Sequence, residues 1–148
     1  MQTIAFELTT PERNVEKREI SSVTIPTSEG EITVLPGHVP LVANLKPGML
    51  TVFFGREEEY LAVAGGYVEV QPGNKVIVLA DTAERADELD LQQAEEARER
   101  ARKLLTEKRH MDDVSSASAV ATLERELARA KVARKHRERK KLPSLQER

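Results

Sequence analysis

The chain contains no cysteine and no tryptophan, and aromatic residues make up only 3% of its 148 residues. Without cysteine there is no disulfide framework, no thiolate metal site and no cysteine nucleophile. This absence fits a cytosolic protein. Hydrophobic residues still make up 39% of the chain. Any core must therefore be aliphatic, built mainly from Val, Ile, Leu and Ala.

Long apolar runs are also missing. The longest are far shorter than the roughly 20 residues that a membrane-spanning helix needs. The first eight residues alternate in polarity and do not form a basic leader with an apolar stretch. We therefore expect no secretory signal, and we expect a soluble protein that reaches a membrane only through a partner.

No set of residues suited to catalysis is present. The three histidines, His38, His110 and His136, lie in different segments without metal-ligand spacing. The pair Gly65–Gly66 lacks the spacing of a dinucleotide-binding loop, and no phosphate-binding P-loop motif occurs. The glycine pair instead indicates close backbone packing or a bulge in a strand. The sequence thus predicts a protein that is not an enzyme and needs no metal or cofactor.

Charge is divided unevenly along the chain. Residues 1–88 carry 14 acidic and 7 basic side chains, whereas residues 89–148 carry 11 acidic and 16 basic ones. The net charges of −7 and +5 predict two modules with different surroundings.

The first module, residues 1–84, has the pattern of a β domain. Apolar residues alternate with polar ones, as in Ile4, Phe6 and Leu8, and turn-forming pairs such as Pro72–Gly73 separate the runs. Many short strands with regular turns are typical of a β-sandwich or a flattened barrel.

The second module, residues 85–142, has the pattern of a helical hairpin. It contains no glycine or proline, and helix-forming residues dominate it. Polar residues at 109–118 predict a break between the helices, and residues 143–148 form a charged tail that begins with Pro143. The apolar seams are expected at these positions: Asp90, Ala94, Ala97, Ala101, Leu104 and Lys108 in the first helix, and Val120, Leu123, Leu127 and Ala130 in the second.

Alanine dominates these seams, so the hairpin should be only marginally stable. Each Leu replaced by Ala forfeits about 2 kcal/mol of burial free energy. A marginal element can be moved by a ligand or partner, as a switch requires. The alternative is a plain solvated hairpin with no switching role.

A basic stretch covers the end of the second helix. Nine cations lie between Arg125 and Lys141, against only Glu126 and Glu138. Such a stretch is typical of proteins that bind nucleic acid, anionic lipid or an acidic protein surface. No aromatic residue lies among the charges, so stacking on single-stranded bases is unsupported. For about half of these residues, a charged helix face that contacts only water is an equally good interpretation.

Several short motifs occur in the order found in one known family. They are 28–31 (SEGE), 35–41 (LPGHVPL), 45–49 (LKPGM), 65–70 (GGYVEV), 71–74 (QPGN) and 78–83 (VLADTA), followed by Leu89–Asp90 at the start of a helix. Over about 80 residues the chain resembles the epsilon subunit of bacterial F-type ATP synthases. Beyond residue 105 the resemblance rests on helical pattern alone.

The resemblance implies a fold of the α+β class, with an N-terminal β-sandwich of about ten strands followed by a C-terminal two-helix antiparallel hairpin. It implies a non-catalytic rotor subunit at the cytoplasmic side of the bacterial inner membrane, bound to the gamma subunit and the c-ring and touching the membrane only through the complex. Glu29, Gly30 and Glu31 would face the c-ring, and His38 would lie near gamma.

The resemblance also implies two arrangements of the hairpin. The hairpin either folds against the sandwich or extends along gamma into the catalytic head of alpha and beta subunits, where it blocks ATP hydrolysis. In the extended form the basic helix, including Arg125, Arg129, Arg134 and Lys135, would meet an acidic surface on beta. This attraction would weaken as salt is raised.

Some members of the family bind ATP in the folded form, and the resemblance transfers that site in part. The matching positions are Glu84, Asp90, Gln93, Ala94, Arg100, Arg125 and Arg129. Gln93 stands where the family motif has an arginine. Loss of a cation near a polyphosphate costs about 1.5–3 kcal/mol, so regulatory ATP binding is expected to be weak or absent.

Two other classes of function fit parts of the sequence. A stand-alone nucleotide sensor would need a complete phosphate site, which Gln93 weakens. An adaptor that uses the basic helix would bind nucleic acid, whereas the principal interpretation predicts no nucleic-acid partner.

Overall fold

The computed structural model describes residues 2–107 and 113–141. It confirms the predicted fold class, a β domain followed by two helices. The elements are β1 (Ile4–Thr9), β2 (Asn14–Ile20), β3 (Ser22–Thr27), β4 (Gly30–Val34), β5 (Leu41–Asn44), β6 (Gly48–Phe54), β7 (Glu57–Gln71), β8 (Lys75–Arg85), the 3-10 turn Ala86–Glu88, α1 (Leu91–Glu107) and α2 (Asp113–Lys141).

The described residues form eight strands, fewer than the ten or so expected. The difference arises because β7 and β8 are long and continuous, with 15 and 11 residues. The runs at 61–63 and 68–70, which look like separate strands in the sequence, both belong to β7. The first half of β7 pairs with β6 and its second half with β5, so one strand serves both parts of the sandwich.

The strands form one sheet that wraps around a single aliphatic core. Their order is β2-β1-β8-β7-β6-β3-β4, with β5 on β7. All neighbours are antiparallel except β1 and β8, which are parallel and place Phe6 opposite Val76. Phe6, Leu8, Leu50 and Val78 are almost fully buried, as the alternating pattern predicts.

The glycine pair in β7 reflects close backbone packing. Gly65 and Gly66 have φ values of +69° and +97°, and a Cβ added to Gly66 would lie 1.8 Å from the carbonyl oxygen of Leu79. The register between β7 and β8 is the same on both sides of the pair. The pair therefore lets the backbones of β7 and β8 approach closely without a bulge.

Helix α1 begins at a side-chain cap. The Oδ1 atom of Asp90 accepts a hydrogen bond from the backbone N–H of Gln93 at 2.9 Å, and its carbonyl accepts one from Ala94 at 2.9 Å. Such a cap stabilises a helix by about 1 kcal/mol. Ala94 and Ala101 are buried as expected, but Leu104 is 40% exposed.

Helix α2 begins earlier than the sequence suggests. It already includes residues 113–118, which were expected to be part of the break. Serine is a good helix cap, but it has only a moderate penalty inside a helix, so its presence does not by itself end one. The remainder of the expected break up to residue 112, His110 and the tail 143–148 lie outside the described residues.

The seam predicted for α2 was wrong in detail. Ala130 is buried as predicted, but Val120 and Leu127 are 41% and 45% exposed. Ala119 and Ala133, which were not predicted, are buried on the same face as Ala130. Val132 is buried on an adjacent face, where it packs with Tyr60, Ala62 and Ala86 of the sandwich side. Because α2 packs against both α1 and the sandwich, two faces of small residues are covered and the large side chains lie outside them. Within the described ranges, neither helix has the length and hydropathy to cross a bilayer.

Candidate functional site

A cleft lies where α2 packs beside the end of β8. Its volume is about 420 Å³, and we call it the arginine cleft. The turn between β1 and β2 closes one side, and α2 closes the other. Its lining is rich in charged side chains of both signs: Thr10, Glu12, Arg13, Asp81, Thr82, Ala83, Glu84, Arg125, Glu126 and Arg129.

Arg129 is the central cation of the arginine cleft. Its Nε atom donates to Oε2 of Glu84 at 2.5 Å, and its Nη2 atom donates to Oε1 of the same carboxylate at 3.3 Å. Its Nη1 atom donates to Oε2 of Glu126 at 2.9 Å. Arg129 thus joins α2 to β8 in a two-pronged contact, the strongest geometry for such a pair.

Glu126 was not among the site residues expected from the sequence. Only 6% of its surface is exposed, and its other oxygen, Oε1, lies 3.5 Å from Nη2 of Arg125. The sequence carries no signal that separates it from Glu124, because the two glutamates flank Arg125 alike. A carboxylate buried with two arginines fixes their positions at the mouth of the cleft.

The structure brings together only part of the expected nucleotide site. Glu84, Arg125 and Arg129 line the arginine cleft, whereas Asp90, Gln93, Ala94 and Arg100 do not. Asp90 caps α1, and Ala94 is buried. Gln93 and Arg100 are exposed on α1.

The basic helix is partly neutralised by the chain itself. Nη2 of Arg134 donates to Oε1 of Glu95 on α1 at 2.7 Å, and this hydrogen bond lowers the pKa of Glu95 below its usual value. Arg129 is held by Glu84 and Glu126. Lys135 is exposed. Arg125 also lies 3.5 Å from Glu126, so three of the four cations expected to meet an acidic partner are paired with carboxylates of the chain itself.

A second ion-pair network lies where the hairpin leaves the sandwich. Arg85 donates to Glu16 at 2.9 Å and to Glu59 at 3.2 Å. Arg18 lies within 2.9 Å and 2.7 Å of the same two carboxylates and stacks over the ring of Phe54. The Glu16 side chain is only 7% exposed. This network fixes the end of β8, from which the hairpin departs.

The residues expected to face partner subunits lie at the far end of the sandwich. Glu29, Gly30 and Glu31 are exposed at the turn between β3 and β4. His38 lies in the loop before β5, where its Nδ1 atom and the carbonyl of Val39 are 2.7 Å apart. Leu35, Val39 and Val42 are 59%, 70% and 67% exposed, which was not predicted from the sequence. Pro36 and Pro40 were the available signal for Leu35 and Val39, because proline breaks strands and leaves apolar residues in loops. Val42 lies within β5, and no such signal marks it.

Comparison with known proteins gives one consistent result. The family model of the ATP synthase delta/epsilon chain β-sandwich domain matches residues 3–86. The ATP synthase epsilon chain of Dehalococcoides mccartyi is 41% identical over 137 residues, covering 93% of this chain and 96% of its own length. That of Moorella thermoacetica is 45% identical over 134 residues, covering 90% and 98%.

A solved structure has a similar fold. A chain in the Euglena gracilis mitochondrial ATP synthase, in a structure of its OSCP, F1 and c-ring parts, superposes with a TM-score of 0.72 at 27% identity. The superposition covers 82% of the present chain and 76% of the Euglena chain. The similarity thus extends past the sandwich into the helices.

Proposed function

The chain belongs to the ATP synthase delta/epsilon family, and on that premise we propose that its sandwich docks on gamma and the c-ring while its helical hairpin acts as a releasable brake on ATP hydrolysis. The coarse role follows from the family itself. The chain is a non-catalytic subunit of the central stalk of an F-type ATP synthase, and it has no catalytic cofactor. It is part of a membrane-associated complex.

The docking surface that we propose lies at the end of the sandwich opposite the hairpin. Leu35, Val39 and Val42 expose apolar side chains there, and such clusters mark sites of protein contact. The acidic turn with Glu29, Gly30 and Glu31 would face the c-ring, and His38 would contact gamma. The subunit would then sit on the cytoplasmic face of the bacterial inner membrane without entering the bilayer.

The brake rests on one observation, the contact between Arg129 and Glu84. In the folded state described here, α2 is docked and Arg129 is held by a carboxylate of the sandwich. We propose that release of α2 frees Arg129 and Arg134, together with Arg125 and Lys135, for an acidic surface on the beta subunits. Docking and inhibition would then compete for the same guanidinium groups.

Weak regulatory ATP binding is the remaining part of the proposal. The arginine cleft is large enough for phosphates and presents Arg125 and Arg129, which could bind them. Glu12, Asp81, Glu84 and Glu126 line the same cleft and would repel them. A polyphosphate would have to displace Glu84 from Arg129, and this competition supports low affinity.

The basic helix does not favour a nucleic-acid adaptor. Its cations at 129 and 134 are paired with carboxylates of the chain, and the family membership supplies protein partners instead. The proposal therefore includes no nucleic-acid partner.

Deletion of residues 89–148 tests the brake in the assembled complex. We expect ATP synthesis to stay coupled and hydrolysis to rise about fivefold or more, a usual size for regulatory coupling. Deletion of residues 142–148 alone serves as the control and should leave hydrolysis unchanged. Equal hydrolysis by the complex with and without residues 89–148 would contradict the inhibitory role.

A further inference from the structure

A small cavity lies under α2 beside the network of Arg85. Its volume is about 140 Å³, and we call it the histidine cavity. His136 reaches it from α2 and meets residues of the sandwich and of the 3-10 turn. The full lining is Glu58, Glu59, Tyr60, Leu61, Arg85, Ala86, Asp87, His136 and Arg139.

The imidazole of His136 is placed where a positive charge is unfavourable. Its Nε2 atom is buried and has no hydrogen-bond partner among residues 2–107 and 113–141. In a neutral imidazole the proton can sit on Nδ1, so that Nε2 carries none. In an imidazolium both nitrogens carry a proton, so Nε2 becomes a hydrogen-bond donor. A buried donor without a partner destabilises the state that contains it.

The charged groups around His136 do not offset that charge. Glu59 is held by Arg18 and Arg85, and Glu58 accepts a hydrogen bond from the hydroxyl of Tyr60. Burial and this hydrogen bond raise the pKa of Tyr60 to about 12, so the phenol stays neutral.

The cations near His136, Arg139 and Lys140, belong to the same helix, α2. Burial lowers the pKa of His136 most, the nearby Lys140 and Arg139 lower it further, and only Asp87 on the 3-10 turn opposes them. Oδ1 of Asp87 also lies 3.9 Å from Nε of Arg85, and the Asp87 side chain is 67% exposed. The environment as a whole favours the neutral imidazole.

We propose that His136 is an acid-sensitive latch, which holds α2 on the sandwich while its imidazole is neutral and releases the helix when the imidazole is protonated. The direction follows from linkage. The docked state binds the proton less readily than the released state, whose pKa is near the ordinary 6.5. Docking is therefore strongest above that value and weakens as pH falls through and below it.

The consequence in the assembled enzyme rests on the proposed function. If released α2 is the inhibiting form, acidification of the surrounding solution shifts the subunit toward inhibition of hydrolysis. The latch itself concerns only the contact between α2 and the sandwich. It can be tested in the isolated full-length chain.

The test measures the distance between α2 and the sandwich. Because the chain has no cysteine, spin labels can be placed at Arg56→Cys, in the turn before β7, and at Lys131→Cys on α2, both of which are exposed. Between about pH 8 and pH 5.5, the range in which histidine titrates, we expect the ratio of released to docked α2 to rise about fivefold.

Two variants assign the effect to one histidine. His136→Gln should keep α2 docked at both pH values, because glutamine cannot acquire a proton in this range. The double variant His38→Gln, His110→Gln leaves His136 as the sole histidine and should keep the full pH response. A persistent response in His136→Gln, or no response in the parent chain, would overturn the latch.

An independent measurement covers the case in which His136→Gln fails to dock at all. The NMR titration of the His136 ring in the parent chain should have its midpoint below 6.5 and should coincide with release of α2. A midpoint at or above 6.5 overturns the latch. If α2 is released in acid but hydrolysis by the complex does not change, the brake fails while the latch stands.

Discussion

Arg129 and Glu84 lie 45 residues apart in sequence and meet through two hydrogen bonds, from Nε at 2.5 Å and from Nη2 at 3.3 Å. The contact joins the middle of α2 to the end of the last strand. Their side chains are 29% and 37% exposed, so water and salt can reach the pair. A partly exposed pair of this kind contributes about 1 kcal/mol, which suits a contact that must open.

Substitution of Glu84 by glutamine should weaken docking. Glutamine keeps the shape of the side chain but removes the charge that holds Arg129, so the docked state should lose about 1 kcal/mol. We expect a roughly fivefold rise in released α2, measured by the same pair of spin labels. In the assembled enzyme, Glu84→Gln should increase inhibition because Arg129 becomes available to beta.

Two controls separate this prediction from a general loss of charge. Glu124→Gln removes an exposed carboxylate that makes no ion pair among the described residues, and it should change neither docking nor inhibition. Arg129→Gln should also release α2 but should inhibit less than Glu84→Gln, since it lacks the cation itself. Equal inhibition by Glu84→Gln and Arg129→Gln would mean that Arg129 does not contact the catalytic head.

The sandwich should fold without the hairpin, but the point of truncation matters. A fragment of residues 1–84 contains almost the whole core yet lacks Arg85, which pairs with the buried Glu16. Loss of one partner of a buried carboxylate costs about 1–3 kcal/mol. We expect both 1–84 and 1–90 to fold by circular dichroism and to bind gamma, with 1–90 the more stable in urea.

The same pair of fragments offers an internal check. Arg85→Gln within 1–90 should lower its stability to nearly that of 1–84. A fragment of 1–84 that is unfolded in water would show that the sandwich depends on the hairpin, contrary to this prediction.

The close approach of β7 to β8 at Gly66 should be sensitive to a single methyl group. Gly66→Ala would place Cβ 1.8 Å from the carbonyl oxygen of Leu79, at a φ of +97°. We expect a loss of about 3 kcal/mol or more in urea unfolding. Gly73→Ala is the matched control, since its φ is +82° but nothing lies within 4 Å of the added Cβ. It should cost only about 1 kcal/mol of backbone strain.

Gln93→Arg tests the transferred nucleotide site. If residues on α1 complete a phosphate site with Arg125 and Arg129, an added guanidinium should tighten ATP binding by about one to two powers of ten. Calorimetry on the isolated chain measures the affinity. Micromolar binding by the parent chain would show that Gln93 is no obstacle, and no gain in the variant would show that α1 does not take part.

The β domain was largely predictable because its signals are local. Alternation marks Ile4, Phe6 and Leu8 as one buried face, and Pro72–Gly73 marks the turn before β8. The number of strands was harder to predict from the sequence. The pair Gly65–Gly66 interrupts the apolar pattern in the same way as the end of a strand, so the sequence of one strand resembles that of two.

The helices show where sequence patterns fail. In α2 the conspicuous Val120 and Leu127 are exposed, while Ala119, Val132 and Ala133, which were not predicted, are buried. Size and hydrophobicity do not identify the packed face of an alanine-rich helix that contacts two neighbours. The contact of Arg129 with Glu84 depends on how α2 lies on the sandwich, which spacing along the chain does not encode. Of the predicted nucleotide residues, only those at 84, 125 and 129 meet in one cleft.

The parallel pairing of β1 with β8 sets the order of events during synthesis. Strand β1 is made first, but the neighbour that covers its second edge is among the last parts of the β domain to be made. At translation rates of about 5–20 residues per second, some 80 residues take about 4–16 s. Until β8 is made, β2 is the only partner that the final sheet offers β1, and the other edge of β1 has no partner strand. The sheet can therefore be completed only once β8 has left the ribosome, just before the helices appear, which places the proposed docking surface ahead of the proposed brake.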